Sequence, residues 1–423
     1  MKGTEGNTIK NPKGKEKDLS NEMLFNEGIK YHSEGNIKKA IEYYELFINK
    51  GLRHPTILVN YGRILASLNN RDKAIEIYKA SVDLFPDDEN SNYYLGNALN
   101  HIGQAKEALI YIEKVINLNP NFPQAFIDLG SIFASIGKLK ESETAFLKAI
   151  ELQPNSPIPY SNLGSMLSTS GQLEKAAFYT RKCIQVDPKF LLGHYNYGVI
   201  SKAIGNTTEA IFYFKKAIEL NPDFLSTYLN LGSVLRDLGK LEESKVITKE
   251  AIKRNPSYKE AYFNLGLINI DLGNSEEAKQ AWEKAISIDS KYEEPIFELG
   301  QQLYLENNYL SSLECLSKSN SDRCISLYLG CLLSLGREKD FHEKYIEIIE
   351  KDISNPEIGA IIDHANIIYS KKNNSTFCGD SMRFIYKSKI SETSLSNEDC
   401  SKIINFLKEN QDSGRTQKLL NNG

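Results

Sequence analysis

The sequence predicts an all-α fold, a solenoid of short antiparallel helix pairs. Nine glycines carry that reading: Gly28, Gly62, Gly96, Gly130, Gly164, Gly198, Gly232, Gly266 and Gly300 stand 34 residues apart without an insertion or deletion. A fixed period of this length marks one small unit stacked on copies of itself. Seven residues after each glycine comes a second signal, a glycine or asparagine: Gly35, Asn69, Gly103, Gly137, Gly171, Gly205, Gly239, Gly273 and Asn307. Those two residue types tolerate the left-handed conformation that ends a helix. The third signal is proline at the unit boundary (Pro86, Pro120, Pro154, Pro188, Pro222, Pro256), where a helix cannot continue.

Each unit then reads as two helices. The first carries an apolar residue four before the glycine (Leu24, Leu58, Phe126, Tyr160, Tyr228, Tyr262) and, after the first unit, another directly before it, one stripe at helical spacing. A glycine inside a helix costs about 1 kcal/mol relative to alanine, so these nine need a packing reason. The expected reason is close approach of another backbone where no Cβ stands in the way. Five residues beyond the cap lies a small residue, Ala40, Ala74, Ala108, Ser142, Ala176, Ala210, Ser244, Ala278 or Ser312, predicted to face the glycine from the second helix. Aromatic residues such as Tyr44, Phe146 and Trp282 and a further alanine complete that helix as core. The array runs over residues 21–322, preceded by a disordered charged leader, 1–20. After Gly300 the spacing breaks, since Gly330 follows after 30 residues. Residues 323–373 are expected to form a degenerate repeat and capping helices, at 341–353 (Phe341, Tyr345, Ile348, Ile349 on one face) and 356–369.

Composition excludes several functions. The net charge of −4 gives no broad basic surface for nucleic acid. No apolar run reaches membrane-spanning length, and the first residues lack the apolar core of a secretory signal. Six cysteines (Cys183, Cys315, Cys324, Cys331, Cys378, Cys400) form no Cys-x-x-Cys pair and fit no zinc spacing, which points to buried thiols in a reducing cytoplasm, with no metal and no cofactor. Phosphate loops, nucleophile elbows and His-Glu-x-x-His are absent, and adjacent Asp363 and His364 point to different sides of one helix.

The recurring Leu-Gly, Tyr or Leu, Ala, aromatic, Ala and Pro pattern resembles the tetratricopeptide repeat (TPR) over residues 21–322. The resemblance implies a right-handed superhelix whose first helices line a concave groove that takes a protein or peptide partner. The candidate groove residues sit two before, one after or four after the glycines: Asn60, Arg63, Asn97, Asp128, Asn162, Ser165, Asn196, Lys202, Asn230, Arg236 and Asn264. Asn162, Asn196, Asn230 and Asn264 recur in four consecutive units, and a carboxamide can pair with either half of a peptide group. This row is similar to the asparagine-lined groove of the TPR region in O-linked N-acetylglucosamine transferases. The chaperone-tail clamp of other TPR proteins needs a lysine three before the glycine; Phe25, Val59, Tyr93, Ile127, Ser161, Tyr195, Leu229, Phe263 and Phe297 stand there instead.

Residues 374–423 form a separate tail. From 376 onward it resembles the opening segment of the 2-oxoglutarate/Fe(II) oxygenase domain that follows TPR arrays in some bacterial proteins. Such an enzyme needs two histidines and a carboxylate on one face of iron, and no His-x-Asp occurs in the sequence. Two functions follow as expectations. One is a non-enzymatic scaffold that holds an extended peptide or partner segment; its oligomeric state is left open. The alternative is a substrate-recruiting fragment of a TPR-linked enzyme, either a truncated oxygenase or the partner of a glycosyltransferase.

Overall fold

The computed structural model describes residues 20–350 together with 358, 361, 362 and 365. Residues 1–19 of the leader, most of the expected second capping helix (356–369), the oxygenase-like tail, Asp363, His364, Cys378 and Cys400 lie outside the described residues. Twenty helices and no strand occur among those described. They divide between two compact units, Met1–Pro222 and Asp223–Gly423.

In the first unit six pairs follow one another: α1 (Asn21–Ser33) with α2 (Ile37–Asn49), α3 (Pro55–Ser67) with α4 (Arg71–Leu84), and α5 (Glu89–His101) with α6 (Ala105–Leu118). Then come α7 (Pro123–Ser135) with α8 (Leu139–Leu152), α9 (Pro157–Thr169) with α10 (Leu173–Val186), and α11 (Leu191–Ile204) with α12 (Thr207–Leu220). The second unit holds α13 (Ser226–Asp237) with α14 (Leu241–Arg254) and α15 (Lys259–Asp271) with α16 (Ser275–Ile288). It continues with α17 (Glu293–Leu305) and α18 (Tyr309–Leu316), then α19 (Asp322–Ser334) and α20 (Glu338–Glu350).

Local chemistry sets these boundaries. All nine expected cap residues have positive φ, from 61° at Asn69 and Asn307 to 89° at Gly205. Proline opens α3, α7 and α9 at the first turn, where its missing N–H has no helical partner to lose. The Asp88 carboxylate accepts from the Ser91 N–H at 2.8 Å and caps α5. Second helices are capped by the residue before a proline, as at Phe85, Asn119 and Gln153.

The packing reason for the nine glycines differs from the expectation. What closes on each is chiefly a side chain from the second helix. The pairs are Gly28 with Tyr44, Gly62 with Tyr78, Gly96 with Ile112, Gly130 with Phe146, Gly164 with Thr180, Gly198 with Phe214, Gly232 with Thr248, Gly266 with Trp282 and Gly300 with Leu316. Backbone approaches closely only in part: a Cβ would stand 3.2 Å from the Ala108 carbonyl at Gly96 and 3.3 Å from that of Ala176 at Gly164. Where the small residue is serine, its hydroxyl donates across the pair, from Ser142 to the Gly130 carbonyl at 2.7 Å and from Ser244 to that of Gly232 at 2.7 Å.

Each unit has its own core. Tyr44, Ile57, Leu95, Leu99 and Ile112 are buried in the first. Trp282 anchors the second, 1% exposed, with its indole N–H donating to the Phe263 carbonyl at 3.2 Å. Phe341 and Ile348 of α20 join that core, as do Ile358, Ile362 and Ala365. The first capping helix thus starts at Glu338, three residues before the expected 341. Cys183, Cys315, Cys324 and Cys331 are buried free thiols, and burial pushes Cys183 up to about 12 and Cys315 up to about 11. Among the described residues no helix is long and apolar enough to cross a membrane.

Candidate functional site

The predicted groove residues all fall on first helices. Asn60 and Arg63 lie on α3, Asn97 on α5, Asp128 on α7, Asn162 and Ser165 on α9, and Asn196 and Lys202 on α11. In the second unit Asn230 and Arg236 lie on α13 and Asn264 on α15. Arg63 and Ser165 are exposed and the other nine are half-buried. Helical spacing explains this shared environment. Residues two before and one or four after the glycine flank the buried stripe on one side.

Several of these side chains meet across consecutive first helices. The Asn97 amide donates to Asp128 at 3.4 Å, joining α5 to α7. Asn196 of α11 donates to the Ser161 hydroxyl of α9 at 3.1 Å. In the second unit Arg236 of α13 pairs with Asp271 of α15. Contacts within a helix take others: Arg63 donates to Asn60 at 3.4 Å, and Asn230 to the Ser226 carbonyl at 3.1 Å. Asn162 and Asn264 have no hydrogen-bond partner among the described residues. The four asparagines are therefore not equivalent. Asn196 is bonded to a neighbouring helix and Asn230 to its own, while two carboxamides are open.

Two carboxylates replace the carboxamide at this position, one in each unit. Burial raises the Asp128 carboxyl above its usual range, opposed by hydrogen bonds from Tyr93, Gln124 and Asn97 and by nearby His101. Glu298 is likewise raised by burial, against the pull of Arg323 and Arg236. Tyr93, Gln124, Ser161 and Asp271 thus bond to candidate residues without having been among the candidates. A signal existed for two of them: Ser161 to Asn196 and Arg236 to Asp271 each span 35 residues, one more than the repeat. Gln124 stands one helical turn before Asp128. No group of three or more His, Cys, Asp or Glu side chains able to hold a metal occurs among the described residues.

Three family models, each described as Tetratricopeptide repeat, match the chain. One covers 25–89 and 62–123, a second 123–156, 193–224 and 259–292, and a third 145–177 and 213–245. No curated protein matches it. Among solved structures, the human IFIT1 dimer with PPP-AAAA is 17% identical, covering 78% of this chain and 83% of that one, with a TM-score of 0.52. The APC/C hetero-tetramer Cut9-Hcn1 is 17% identical over 68% of this chain and 56% of that one, TM-score 0.48. YrrB, a TPR protein with an unusual peptide-binding site, is 20% identical over 44% of this chain and 95% of that one, TM-score 0.36. At such identities the likeness shows the fold alone. Together the family matches span more than half of the sequence, in both units and in phase with the glycine period. The chain belongs to the tetratricopeptide-repeat family.

Proposed function

We propose that the protein is a non-enzymatic interaction scaffold that holds an extended peptide or partner segment along its first helices. The observation that carries this reading is an open carboxamide in each unit, Asn162 in the first and Asn264 in the second, each half-buried and unbonded. A half-buried amide without a partner forgoes hydrogen bonding that an incoming backbone supplies, and it offers both a donor and an acceptor. The groove carries mixed charge, so an uncharged peptide backbone suits it better than a polyanion.

Position-specific photocrosslinking tests the reading. Benzoylphenylalanine at Ser131 or Ser165, on first helices, is expected to capture partner segments. The same group at Phe178 or Phe212, exposed on second helices, is expected to capture few. Capture only from the second helices overturns the proposal. So does equal capture by a variant in which Asn162, Asn196, Asn230 and Asn264 are all alanine.

A further inference from the structure

A pocket of about 360 Å³ opens in the first unit among α3, α4 and α5. Its floor is apolar and buried: Ala74, Ile75 and Tyr78 of α4 are at most 8% exposed. Its rim is basic and exposed, formed by Arg63 of α3, Arg71 of α4 and His101 of α5. Tyr94 stands between them, its ring stacked on Tyr78 at 6.0 Å and covered by the Arg63 guanidinium at 5.3 Å.

The two guanidinium groups at this pocket are not ion-paired among the described residues, and Arg63 donates only to Asn60. Three other guanidinium groups are ion-paired: Arg236 with Asp271, Arg254 with Asp223, and Arg337 with Asp340. Two of the acids nearby are already committed. Glu107 is paired with Lys79, and Asp128, which senses His101, accepts from Asn97 and Gln124. Arg71 is also the first residue of α4, whose Asn70 cap makes no side-chain hydrogen bond, and Asp72 in the same turn offsets part of the positive potential of its free N–H groups.

We propose that this pocket binds a phosphorylated serine or threonine of a peptide, with a neighbouring apolar side chain on the buried floor. Two unpaired guanidinium charges match a phosphomonoester, which carries about −1.5 to −2 at neutral pH and accepts in the forked geometry that arginine offers. A single carboxylate neutralises only half of that charge. The exposed rim suits the short phosphorylated side chain, while Tyr78, Ala74 and Ile75 lie deep enough for an aliphatic one. The inference rests on the scaffold reading, since it makes the pocket one anchor of a peptide running past Arg63 and Asn97.

Calorimetric titration of the full chain with the capped hexapeptide acetyl-Ala-Ala-Ser-Leu-Ala-Ala-amide, with and without phosphate on serine, tests it. Binding is expected only for the phosphorylated form. An Arg63→Gln/Arg71→Gln variant should weaken it about tenfold or more, and salt should weaken it too. Both arginines are exposed, so an unchanged thermal midpoint is expected to show that the variant folds. Equal affinity for both peptides, or no loss in the variant, overturns the proposal. So does tighter arginine-dependent binding of the uncapped, unphosphorylated peptide, which makes the anion a terminal carboxylate. Tighter binding of a 5′-phosphorylated oligoadenylate overturns it in favour of nucleic acid. If these titrations fail while crosslinks from Ser165 persist, the scaffold reading stands and only the pocket assignment falls.

Discussion

Gly130 lies directly under the ring of Phe146: a Cβ at Gly130 would stand 2.7 Å from the ring's Cδ1 and Cε1. Real carbon atoms do not approach so closely, so an added methyl has to displace a ring that is 1% exposed and packed on every side. The cost of such overpacking, about 1–3 kcal/mol, exceeds the gain of about 1 kcal/mol from replacing a helical glycine. Gly130→Ala is therefore expected to lower the urea midpoint followed by circular dichroism. Gly330 supplies the contrast, because a Cβ there meets nothing nearer than Tyr304 at 3.8 Å. Gly330→Ala should raise stability by about 0.5–1 kcal/mol. Shifts of the same sign in both variants contradict the packing account.

Thr180 and Thr248 occupy the place that Tyr, Phe or Trp fills in five other pairs, and both hydroxyls are buried without a hydrogen-bond partner. Leaving a buried hydroxyl unpaired costs about 1–3 kcal/mol, while valine keeps nearly the same shape. Thr180→Val and Thr248→Val are each expected to stabilise their unit by about 1 kcal/mol. Ser142→Ala serves as the control, since the Ser142 hydroxyl already donates to the Gly130 carbonyl, and it should not gain. Thermal unfolding of the three variants reads the difference directly.

The repeat was legible because its devices are local. A left-handed cap, a proline stop and a glycine each act within one helix pair, so every copy carries its own signal. The identity of the atom above the glycine was not legible as such. Small residues at Ala40 or Ser142 suggested backbone contact, but the residue one turn further on, Tyr44 or Phe146, reaches back over the glycine and takes the space. The candidate face followed the same limit. Helical spacing placed Asn162 and Asn196 together, yet only the packing of α9 against α11 shows that Ser161 bonds Asn196 and leaves Asn162 open. The pocket at Arg63 and Arg71 depends on three helices, which no single-unit pattern expresses.

That difference between the asparagines is measurable without a ligand. Asn196→Ala removes the 3.1 Å hydrogen bond to Ser161, whose hydroxyl is buried, and should cost about 0.5–1.5 kcal/mol. Asn162→Ala removes no bond and should change stability by less than about 0.5 kcal/mol. Paired denaturation curves decide it. A loss at Asn162 as large as that at Asn196 makes the carboxamide structural and withdraws it from the binding face.

Asp128 sets a pH dependence with a definite sign. Burial raises its carboxyl in the folded chain, so the folded state binds the proton more tightly than the unfolded one, whose carboxyl stays near about 3.9. Across the window from that value up to the raised one, stability falls as pH rises, and at pH 7 the buried carboxylate bears its full desolvation cost. Asp128→Asn cannot titrate and places at α7 the carboxamide that α9 already carries at Asn162. The variant's stability relative to the native chain should therefore improve between about pH 4 and pH 7. Urea midpoints of both proteins over that range test the sign. A difference that stays flat or runs the other way means that the hydrogen bonds from Tyr93, Gln124 and Asn97 outweigh burial at this carboxylate.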